Sequence, residues 1–250
     1  MKITIVTVCY NSSNTIRDTL RSVASQSHRD IEHIVIDGGS KDTTLDVVRE
    51  HGGHLARIVS EPDKGIYDAM NKGFTLATGQ FVGFLNADDI LASGDAVASV
   101  ARVAASDDSI DAVYGDLQYV RGDGQVVRHW RSGEFDRARL SYGWMPPHPT
   151  LYVRTAKVTQ LGGFSTKMRI AADYDFVLRY FAFPGFKAAY LPEVLVRMRT
   201  GGASNRSLGA LLQKSREDLT ALRANGVGGV LTLACKNLRK LPQFRFIFVT

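Results

Sequence analysis

The chain has 250 residues, 44% of them hydrophobic, which is enough apolar material for one large domain with a full core and excludes a disordered chain. Its formal charge of +6 and sequence pI near 9.4 favour an anionic partner. Charge alone does not distinguish nucleic acid, a phosphate-bearing small molecule and an acidic membrane surface.

The first 90 residues alternate short β-branched runs with amphipathic segments. The runs predict strands at 3–9, 31–37, 56–60 and 80–85. Helices are expected between them: one with Ile16, Leu20 and Val23 on one face, one near 42–50, one near 65–77, and another after the fourth strand near 93–105. This alternation predicts βαβ units and a mostly parallel sheet with helices on both faces, an architecture that often binds nucleotides.

Polar residues follow the predicted strands at their carboxyl ends, where open α/β sheets bind ligands. They are Tyr10 and Asn11, Asp37, Glu61 and Asp63, and Asn86, Asp88 and Asp89. We expect these acids to converge on one edge of the sheet. The adjacent pair Asp88 and Asp89 calls for a nearby cation, because two buried carboxylates repel each other and are costly to desolvate.

The segment SEPDKGIYDAMNKGFTLATG, residues 60–79, predicts a helix with two chemically different faces. One face carries Ile66, Met70, Phe74 and Ala77, and the opposite face carries Asp68, Asn71 and Lys72. The turn before it puts Asp63 and Lys64 at the helix N-terminus, where anions bind. A plain solvated face is the alternative. Asp37 and the glycines after it have a similar alternative, a simple turn with Ser40 as a helix N-cap.

After residue 105 the pattern becomes β-rich. Strands are expected at 111–120 and 125–132 around an RGDG hairpin turn, then a proline-rich segment, a helix in the latter half of 162–181, two strand-like pieces around Pro192 and a helix at 207–225. We expect one domain, 1–225, in which residues 1–105 bind a nucleotide and residues 106–225 form the acceptor side. A basic, aromatic tail, 226–250, follows.

Two familiar phosphate-binding patterns are absent. No G-x-G-x-x-G follows the first strand and no G-x-x-x-x-G-K-[ST] occurs, so neither a dinucleotide fold nor a P-loop NTPase is supported. The two distant cysteines, Cys9 and Cys235, fit a reducing compartment, and no apolar stretch approaches the roughly 18 residues that span a bilayer. We therefore expect a cytoplasmic protein, with peripheral contact to the inner face of the cell membrane as an option.

Five segments in order resemble the family 2 glycosyltransferases with the GT-A fold, of the bacterial cell-surface polysaccharide type. They are TVCYN, VIDGGSKDTT, SEPDKGIYDAMNKG, FLNADD and AADYDFVLR, and the resemblance spans about residues 3–200. It implies an inverting, metal-dependent enzyme that moves a sugar from a nucleotide-sugar donor, with a UDP-sugar as the first choice, to a glycan or lipid-linked acceptor. It also implies a smaller β-rich region on the acceptor side of the sheet.

The resemblance implies a role for each matching residue. Thr7, Tyr10 and Asn11 would line the nucleotide pocket, Asp37 would receive the base, Asp63 would lie beside the uracil or ribose, and Lys72 near the phosphates. Asn86, Ala87 and Asp88 take the place of the family's D-x-D motif, in which Asp88 would bind Mn²⁺ or Mg²⁺ and so supply the expected cation. Asp89 would support that loop, Asp173 would be the general base, and Arg179 would support the phosphates or the base.

Two departures from the family pattern keep a rival interpretation open. Asn86 replaces the first acid of D-x-D, and Ala172 stands where many relatives carry Glu. The rival is a catalytically silent nucleotide-sugar-binding module of the same fold. A nucleotidyltransferase is disfavoured because CYNSSNT replaces its glycine-rich start, and a nucleic-acid-binding protein is disfavoured because no basic, aromatic stripe precedes the tail.

Further candidates lie in the second half. His148, between prolines, is either a structural or surface histidine or a candidate acceptor contact or third metal ligand. Asp175 is expected at the surface or capping its helix, with Phe176 and Tyr180 as an apolar pocket wall. RMRTGGAS resembles a late loop that closes over the diphosphate, with Arg197, Arg199 and Ser204 as candidates and a plain turn as the alternative. The tail is expected either to contact an anionic membrane surface or to form a helix packed on the domain. The basic and aromatic residues on which the membrane alternative depends are Lys236, Arg239, Lys240, Phe244, Arg245, Phe246 and Phe248.

Overall fold

The computed structural model describes residues 1–200, 208–239 and 243. In this part of the chain, one mixed sheet is flanked by helices. Its strands are β1 Ile3–Cys9, β2 Ile31–Asp37, β3 Arg57–Ser60, β4 Phe81–Phe84, β5 Asp89–Leu91, β6 Ala112–Val120, β7 Val126–Trp130, β8 Tyr152–Arg154 and β9 Ala188–Arg199. The helices are α1 Ile16–Ala24, α2 Thr44–His51, α3 Ile66–Leu76, α4 Ala96–Ala105, α5 Thr155–Leu161, α6 Ala172–Phe181, α7 Leu208–Ala224 and α8 Val230–Leu238.

The first half of the sheet is parallel, in the order β3-β2-β1-β4. Strand β1 is buried at every position, as expected for a parallel strand covered on both faces. On α1, Ile16, Leu20 and Val23 are buried, which confirms the predicted apolar face. The parallel pairing brings the carboxyl ends of β1, β2 and β4 to one edge of the sheet.

The second half of the sheet is mixed. Strand β8 joins β4 to β6 by antiparallel pairing on both sides, and β9 lies parallel to β6. The short strand β5 pairs antiparallel with the end of β9, so that Asp89 lies opposite Met198. This pairing fixes the segment after β4 against residues that lie more than 100 positions later. The mixed α/β architecture confirms the predicted fold class.

Aromatic side chains from α3, α6 and the intervening loops form the core beneath this edge. The ring centroids of Phe164 and Phe176 are 4.6 Å apart, and Phe74 stacks 5.4 Å from Phe164. Helix α3 approaches β1 closely because Gly73 has no side chain: a Cβ there would lie 2.4 Å from Val6 Cγ1. The close approach sets which face of α3 is buried.

That face differs from the one predicted. Ala69, Met70 and Gly73 are buried, whereas Ile66 is 46% exposed. The sequence pattern predicted a buried Ile66 because it assigned the apolar face by residue type. It carried no signal that α3 would pack on β1 through Gly73. Asn71, expected on the polar face, instead receives the Phe164 N–H at 2.8 Å and donates to the Phe164 carbonyl at 2.9 Å.

Most predicted elements occur within a few residues of their expected positions, but three were missed. These are the three-residue strands β5 and β8 and the helix α5. Helix α8 agrees with one of the two alternatives for the tail, a helix packed on the domain. The two strand-like pieces around Pro192 form the single strand β9. In the described ranges, no helix combines the length and the hydropathy needed to cross a bilayer.

Candidate active site

The turn after β1 is fixed against the loop after β2. Asn11 adopts a left-handed conformation, φ 49°, which asparagine tolerates better than most residues. Its backbone N–H donates to Ser40 Oγ at 2.8 Å, and its side-chain oxygen accepts from the Lys41 N–H at 2.8 Å. These contacts leave the ring of Tyr10 60% exposed at the end of β1.

Asp37 at the end of β2 organises the following turn. Its carboxylate accepts from the N–H groups of Gly39 and Ser40, from Ser40 Oγ at 2.5 Å and from Ser60 Oγ at 2.7 Å. Burial alone would raise the pKa of Asp37, but the hydrogen bonds from Ser40, Ser60 and the backbone hold it below its ordinary value. The turn interpretation therefore explains this buried acid. Ser40 is not a helix N-cap, because α2 begins at Thr44.

Tyr10 and Asp63 meet over the backbone of Gly38. A Cβ on Gly38 would lie 2.4 Å from Asp63 Oδ2 and 3.5 Å from Tyr10 Cδ2. The other oxygen of Asp63 accepts from the Gly65 N–H at 2.8 Å, which positions the carboxylate at the start of α3. The structure thus brings together an exposed aromatic ring and an acid from two different strand ends.

Thr7 lies inside the sheet and does not line an open pocket. It is fully buried, and its hydroxyl is 2.9 Å from His33 Nε2; the other ring nitrogen of His33 is 2.9 Å from His54 Nε2. Burial, followed by the nearby His54, lowers the pKa of His33 to about 3. The expected nucleotide contact of Thr7 is therefore corrected to an interior hydrogen bond.

Lys72 on α3 fixes the segment that carries Asp63. Its ammonium is 2.9 Å from Glu61 Oε1 and donates to the Pro62 carbonyl at 3.0 Å. The hydrogen bond to Glu61 raises the pKa of Lys72, so the side chain stays charged. Asp68, one turn earlier, accepts from the Lys64 N–H at 3.0 Å and holds the start of α3.

The segment Asn86–Asp89 forms the second part of the site. Ala87 is buried, and its N–H reaches the Val8 carbonyl at 3.3 Å, which anchors the segment to β1. Asn86 Nδ2 donates to the carboxylate of the fully buried Asp89 at 3.2 Å. Burial and then the charge of Asp88 raise the pKa of Asp89 well above its ordinary value. Asp88 itself is half-buried.

Part of the positive charge expected beside these acids comes from Arg199. This residue ends β9, forms an ion pair with Asp18, and its charge lowers the pKa of Asp89 against the larger effect of burial. Arg197 is two positions earlier, opposite Ile90 of β5. Ser204, the third candidate of this segment, lies outside the described residues.

The donor atoms at this segment fit a divalent cation. Asn86 Oδ1 and Asp89 Oδ1 are buried without a hydrogen-bond partner in the described structure, and the Asp88 carboxylate is adjacent in the chain. Carboxylate and amide oxygens suit Mg²⁺ and Mn²⁺. In the described ranges, no group of three or more acids, histidines or cysteines is arranged to hold a metal. The set therefore suits an ion that takes most of its coordination from water and substrate phosphates.

Asp173 lies in the first turn of α6, beside a tyrosine from the other half of the chain. Tyr67 on α3 donates to the Ile170 carbonyl at 2.8 Å and lies 3.4 Å from Asp173 Oδ1. Burial and then the charge of Asp173 raise the pKa of Tyr67 well above its ordinary value. Tyr67 remains a neutral donor next to the carboxylate.

A carboxylate from α7 holds the chain that leads into α6. Glu217 accepts from the N–H groups of Arg169, Ile170 and Ala171 at 3.1, 2.8 and 2.9 Å. Asp173 is thereby supported from α3 on one side and from α7 on the other.

His148 is a buried imidazole near Asp173. It is 9% exposed, and neither ring nitrogen has a hydrogen-bond partner among the described residues. Its ring lies edge-on to Phe164 at 5.2 Å and tilted against Phe84 at 5.7 Å. Burial lowers the pKa of His148, and the charge of Asp173 opposes that shift. His148 is therefore a neutral group with unused donor and acceptor capacity.

Tyr119 on β6 lies opposite Arg128 of β7, and the Arg128 guanidinium is 4.7 Å from the centroid of its ring. Burial is the main reason that its pKa is raised; Arg128 opposes the shift, and the charges of Asp89 and Asp173 both add to it. Tyr119 therefore stays a neutral phenol on β6.

Three expectations for α6 are corrected. Arg179 donates to the carbonyls of Leu161, Gly162 at 2.9 Å and Gly163 at 2.6 Å, so its guanidinium closes the end of α5 instead of facing a phosphate. Asp175 is buried and accepts from Asn225 Nδ2 at 3.0 Å, so it neither faces solvent nor caps the helix. Phe176 and Tyr180 are fully buried in the core and do not form a pocket wall.

The tail is described only in part. Lys236 on α8 is 5% exposed and paired with Asp218 at 2.8 Å, so it is not available to a membrane surface. Arg239 is exposed. Lys240, Arg245 and the three phenylalanines of the tail lie outside the described residues.

Sequence reasoning missed two residues that shape the site: Tyr67 and Glu217. Tyr67 stands inside a quoted motif, yet its partner is 106 positions away. Glu217 looks like any charged residue on a helix. A pattern of residue types carries no signal for such distant contacts.

Comparison with known proteins identifies relatives of this chain. Residues 4–172 match the model of a family described as Glycosyl transferase family 2. A PGL/p-HBAD biosynthesis glycosyltransferase from Mycobacterium bovis is 34% identical over 194 residues, which cover 74% of this chain and 72% of that protein. Chondroitin synthase from Pasteurella multocida is 30% identical over 181 residues, 71% of this chain but 18% of the synthase.

Solved structures share the fold. TarS of S. aureus superposes with a TM-score of 0.69 and 21% identity, covering 89% of this chain; the chain spans 40% of TarS. TarS 1-349 in complex with UDP-GlcNAc has a TM-score of 0.69 and 20% sequence identity, and the match covers 91% of this chain and 66% of that structure. The mannosyltransferase PcManGT of Pyrobaculum calidifontis, in complex with GDP-Man and Mn²⁺, has a TM-score of 0.68 and 19% sequence identity to this chain. The match covers 98% of this chain and 73% of PcManGT.

Proposed function

The chain belongs to glycosyl transferase family 2 and is a glycosyltransferase with the GT-A fold, and from this premise we propose that it is an inverting, metal-dependent enzyme. Its donor is a nucleotide sugar, with a UDP-sugar as our first choice, and its acceptor is a hydroxyl of a glycan or lipid-linked molecule in cell-surface polysaccharide biosynthesis. The UDP-GlcNAc and GDP-Man complexes of the structural neighbours support the donor class.

One observation carries the proposal. Asp173 is half-buried in the first turn of α6, and Tyr67 lies 3.4 Å from its carboxylate. His148, whose ring nitrogens have no partner among the described residues, belongs to the turn 148–150 that packs on α6. A carboxylate held this way, in a protein with an oxygen-rich acidic segment at its strand ends, suits a reaction between a bound diphosphate and an acceptor hydroxyl.

We assign donor binding to the strand ends of the first half. Tyr10, Asn11 and Asp63 would contact the nucleoside, with Asp37 shaping the turn beneath it and Lys72 fixing the segment of Asp63. Asp88 and Asn86 would hold the cation. When bound, the cation would neutralise the diphosphate and the charge that grows on it as a leaving group.

We assign the chemistry to Asp173. Its carboxylate accepts the proton of the acceptor hydroxyl, the hydroxyl oxygen forms a bond to the anomeric carbon, and the bond from that carbon to the diphosphate breaks from the opposite side. The electron pair leaves with the diphosphate, so the anomeric configuration inverts. One carboxylate suffices, unlike the pair that a glycosidase needs.

His148 receives an acceptor-side role in this proposal. A neutral imidazole can donate one hydrogen bond and accept another, and both capacities of His148 are unused in the described structure. A sugar hydroxyl next to Asp173 would satisfy them. Arg199 remains the candidate from the late loop, through its charge beside Asp89.

The test compares matched acid-to-amide variants. Asp173→Asn should cut transfer by about 10² or more, as expected for loss of a general base, with little change in donor affinity. Asp175→Asn is the control, since it should cost mainly stability. Full transfer by Asp173→Asn would reject the assignment of the base.

A second arm tests the metal and the rival function. Asp88→Asn should lose the Mn²⁺-dependent part of UDP binding with the fold intact, and equal affinity in wild type and variant would reject Asp88 as a ligand. The departures Asn86 and Ala172 favour a silent binding module. If the wild type binds UDP-sugars but transfers none from a donor panel with Mn²⁺, the module is the better description.

The organisation of the chain completes the proposal. We propose a single catalytic domain, 1–225, with a nucleotide-sugar-binding half, 1–105, and an acceptor half, 106–225. Two free cysteines support a cytoplasmic setting. Contact of the tail, 226–250, with an anionic membrane is a separate proposal, tested by sedimentation of the full chain with vesicles of anionic or neutral lipid.

A further inference from the structure

A cavity of about 410 Å³ opens between β7, the segment 143–145 and α8. Cationic and aromatic side chains line it: His129, Trp130, Arg131, Trp144, Lys236 and Arg239. No acidic residue is among its described lining residues. The volume is in the range of small-molecule sites, which typically measure about 300–1,000 Å³.

The cavity is linked to helix α6, which carries Asp173, through Lys236. The Lys236 ammonium is 3.1 Å from the centroid of the Tyr174 ring, and Tyr174 directly follows Asp173. The charge of Asp173 also acts on Lys236.

Lys236 lies beside a second cation on a shared carboxylate. Lys236 and Lys214 share one carboxylate, that of Asp218, at 2.8 and 3.0 Å. Burial and then Lys214 lower the pKa of Lys236 to about 7, against the attraction of Asp218. Arg131 and Arg239 add two further cations to the described lining of the cavity, which therefore attracts anions.

The aromatic lining adds a second requirement. Trp130 is partly exposed beside the cavity. Trp144 also lines it but is buried, and its indole N–H donates to the Ser132 carbonyl at 2.8 Å. Indole rings pack against the C–H faces of sugars, and arginine forks bind planar or tetrahedral anionic oxygens.

We propose that this cavity binds the acceptor and that the acceptor is an anionic saccharide, carrying a phosphate or a carboxylate. The inference rests on the proposed function, because it takes Asp173 as the base that the acceptor hydroxyl approaches. Arg131 and Arg239, both exposed at the rim, contact the anionic group, and Trp130 supports the sugar ring.

Binding is tested on the full chain saturated with UDP and Mn²⁺, so that the donor site is occupied. Glucose 6-phosphate, glucuronate and glucose are titrated by calorimetry or NMR. We expect at least tenfold tighter binding of one or both anions than of glucose, weakening as salt is added. The tighter anion identifies the group as phosphate or carboxylate. Equal binding of glucose, or displacement of either anion by excess UDP, overturns the proposal.

Variants localise the site. The double variant Arg131→Gln, Arg239→Gln should weaken anion binding at least tenfold with UDP affinity unchanged, whereas Arg121→Gln in the β6–β7 turn, outside the cavity, should not. Both substitutions are on exposed side chains, so the fold is expected to persist; a melting temperature within about 2 °C of wild type verifies it. Unchanged anion binding in the double variant overturns the proposal.

The two proposals fail separately. If Asp173→Asn still transfers sugar but the cavity binds anions, the assignment of the base is wrong and the cavity site stands. If Asp173→Asn is inactive but the double variant binds anions normally, the base stands and the cavity assignment is wrong.

Discussion

Glu217 provides the sharpest test of how the site is held. It contacts no expected substrate, yet its carboxylate binds three consecutive backbone N–H groups, those of Arg169, Ile170 and Ala171, directly before α6. Gln213 on the same helix donates to it at 2.9 Å. All four partners are donors. Glu217→Gln keeps the size of the side chain but replaces one acceptor oxygen with a donor.

The size of the effect follows from that count. The amide oxygen can keep two of the four hydrogen bonds, now with a neutral acceptor, while the new NH₂ group faces the other two donors. Hydrogen bonds to a charged group contribute roughly 1.5–3 kcal/mol each, but Glu217 is half-exposed and water reduces this. We therefore expect a loss of about 2 kcal/mol, which for a chain of this size lowers the melting temperature by about 4–8 °C.

Activity should respond as well. The loosened chain carries Asp173, and a displacement of about 1 Å at a reacting group can cost 10²-fold in rate. We expect kcat for transfer to fall at least tenfold with donor affinity unchanged. The assay combines thermal unfolding, UDP titration and transfer kinetics. Glu193→Gln, the same change in a loose ion pair with Arg102 at 3.8 Å, is the control and should do little.

The pH dependence gives an independent check. Burial would raise the pKa of Glu217, but the backbone N–H groups hold it below the ordinary 4.5. Its stabilisation is therefore complete above pH 4.5 and is lost as the pH falls through the lowered value. The difference between wild type and Glu217→Gln should be largest near pH 7 and shrink in acid. Equal stability and activity of Glu217→Gln and Glu193→Gln at pH 7 would refute the reasoning.

Three further predictions concern other parts of the site. His33 must stay neutral in the folded state, because its pKa is about 3 there against 6.5 in the unfolded chain. Acidification from pH 7 to 5 should therefore lower the free energy of unfolding in urea by about 2 kcal/mol, and His33→Gln should remove this pH dependence. The same pH dependence in His33→Gln and wild type would contradict the prediction. Gly38→Ala puts a Cβ 2.4 Å from Asp63 Oδ2 and should weaken UDP binding at least tenfold, whereas Gly53→Ala, with open space around it, should not; equal affinities would exclude Asp63. Arg179→Lys loses the guanidinium hydrogen bonds to the carbonyls of residues 161–163 and should lower the melting temperature with donor affinity unchanged. Weaker donor binding at an unchanged melting temperature would instead support a phosphate-binding role for Arg179.

The sequence predicted the parallel half of the fold well because its signals are local. Alternation of β-branched runs with 3.6-residue periodicity defines β1, α1 and β2, and strand ends in such sheets share an edge. The meeting of Tyr10 and Asp63 over Gly38 follows from that topology. Asp173 was selected by resemblance alone.

The remaining features depend on partners that no local pattern encodes. Strand β1 is buried on both faces, so alternation could not tell that Thr7 faces His33 and not a pocket. Asp175 and Arg179 were assigned by their position on a helix, but their partners are Asn225 and the end of α5. Strand β5 is three residues long and has no period to detect.

The pairing of β5 with β9 has a consequence for how the enzyme is made. During synthesis, residues 1–105 emerge before β8 and β9 exist, so β4 has a bare edge and β5 has no strand to pair with. Such edges invite aggregation, and sheets with distant partners fold slowly. The acidic segment 86–89 reaches its final geometry only after residues 196–198 have been synthesised and docked. A ribosome that stalls before that point leaves an inert chain, and a gene split at residue 105 would yield two halves that must find each other before either has a site.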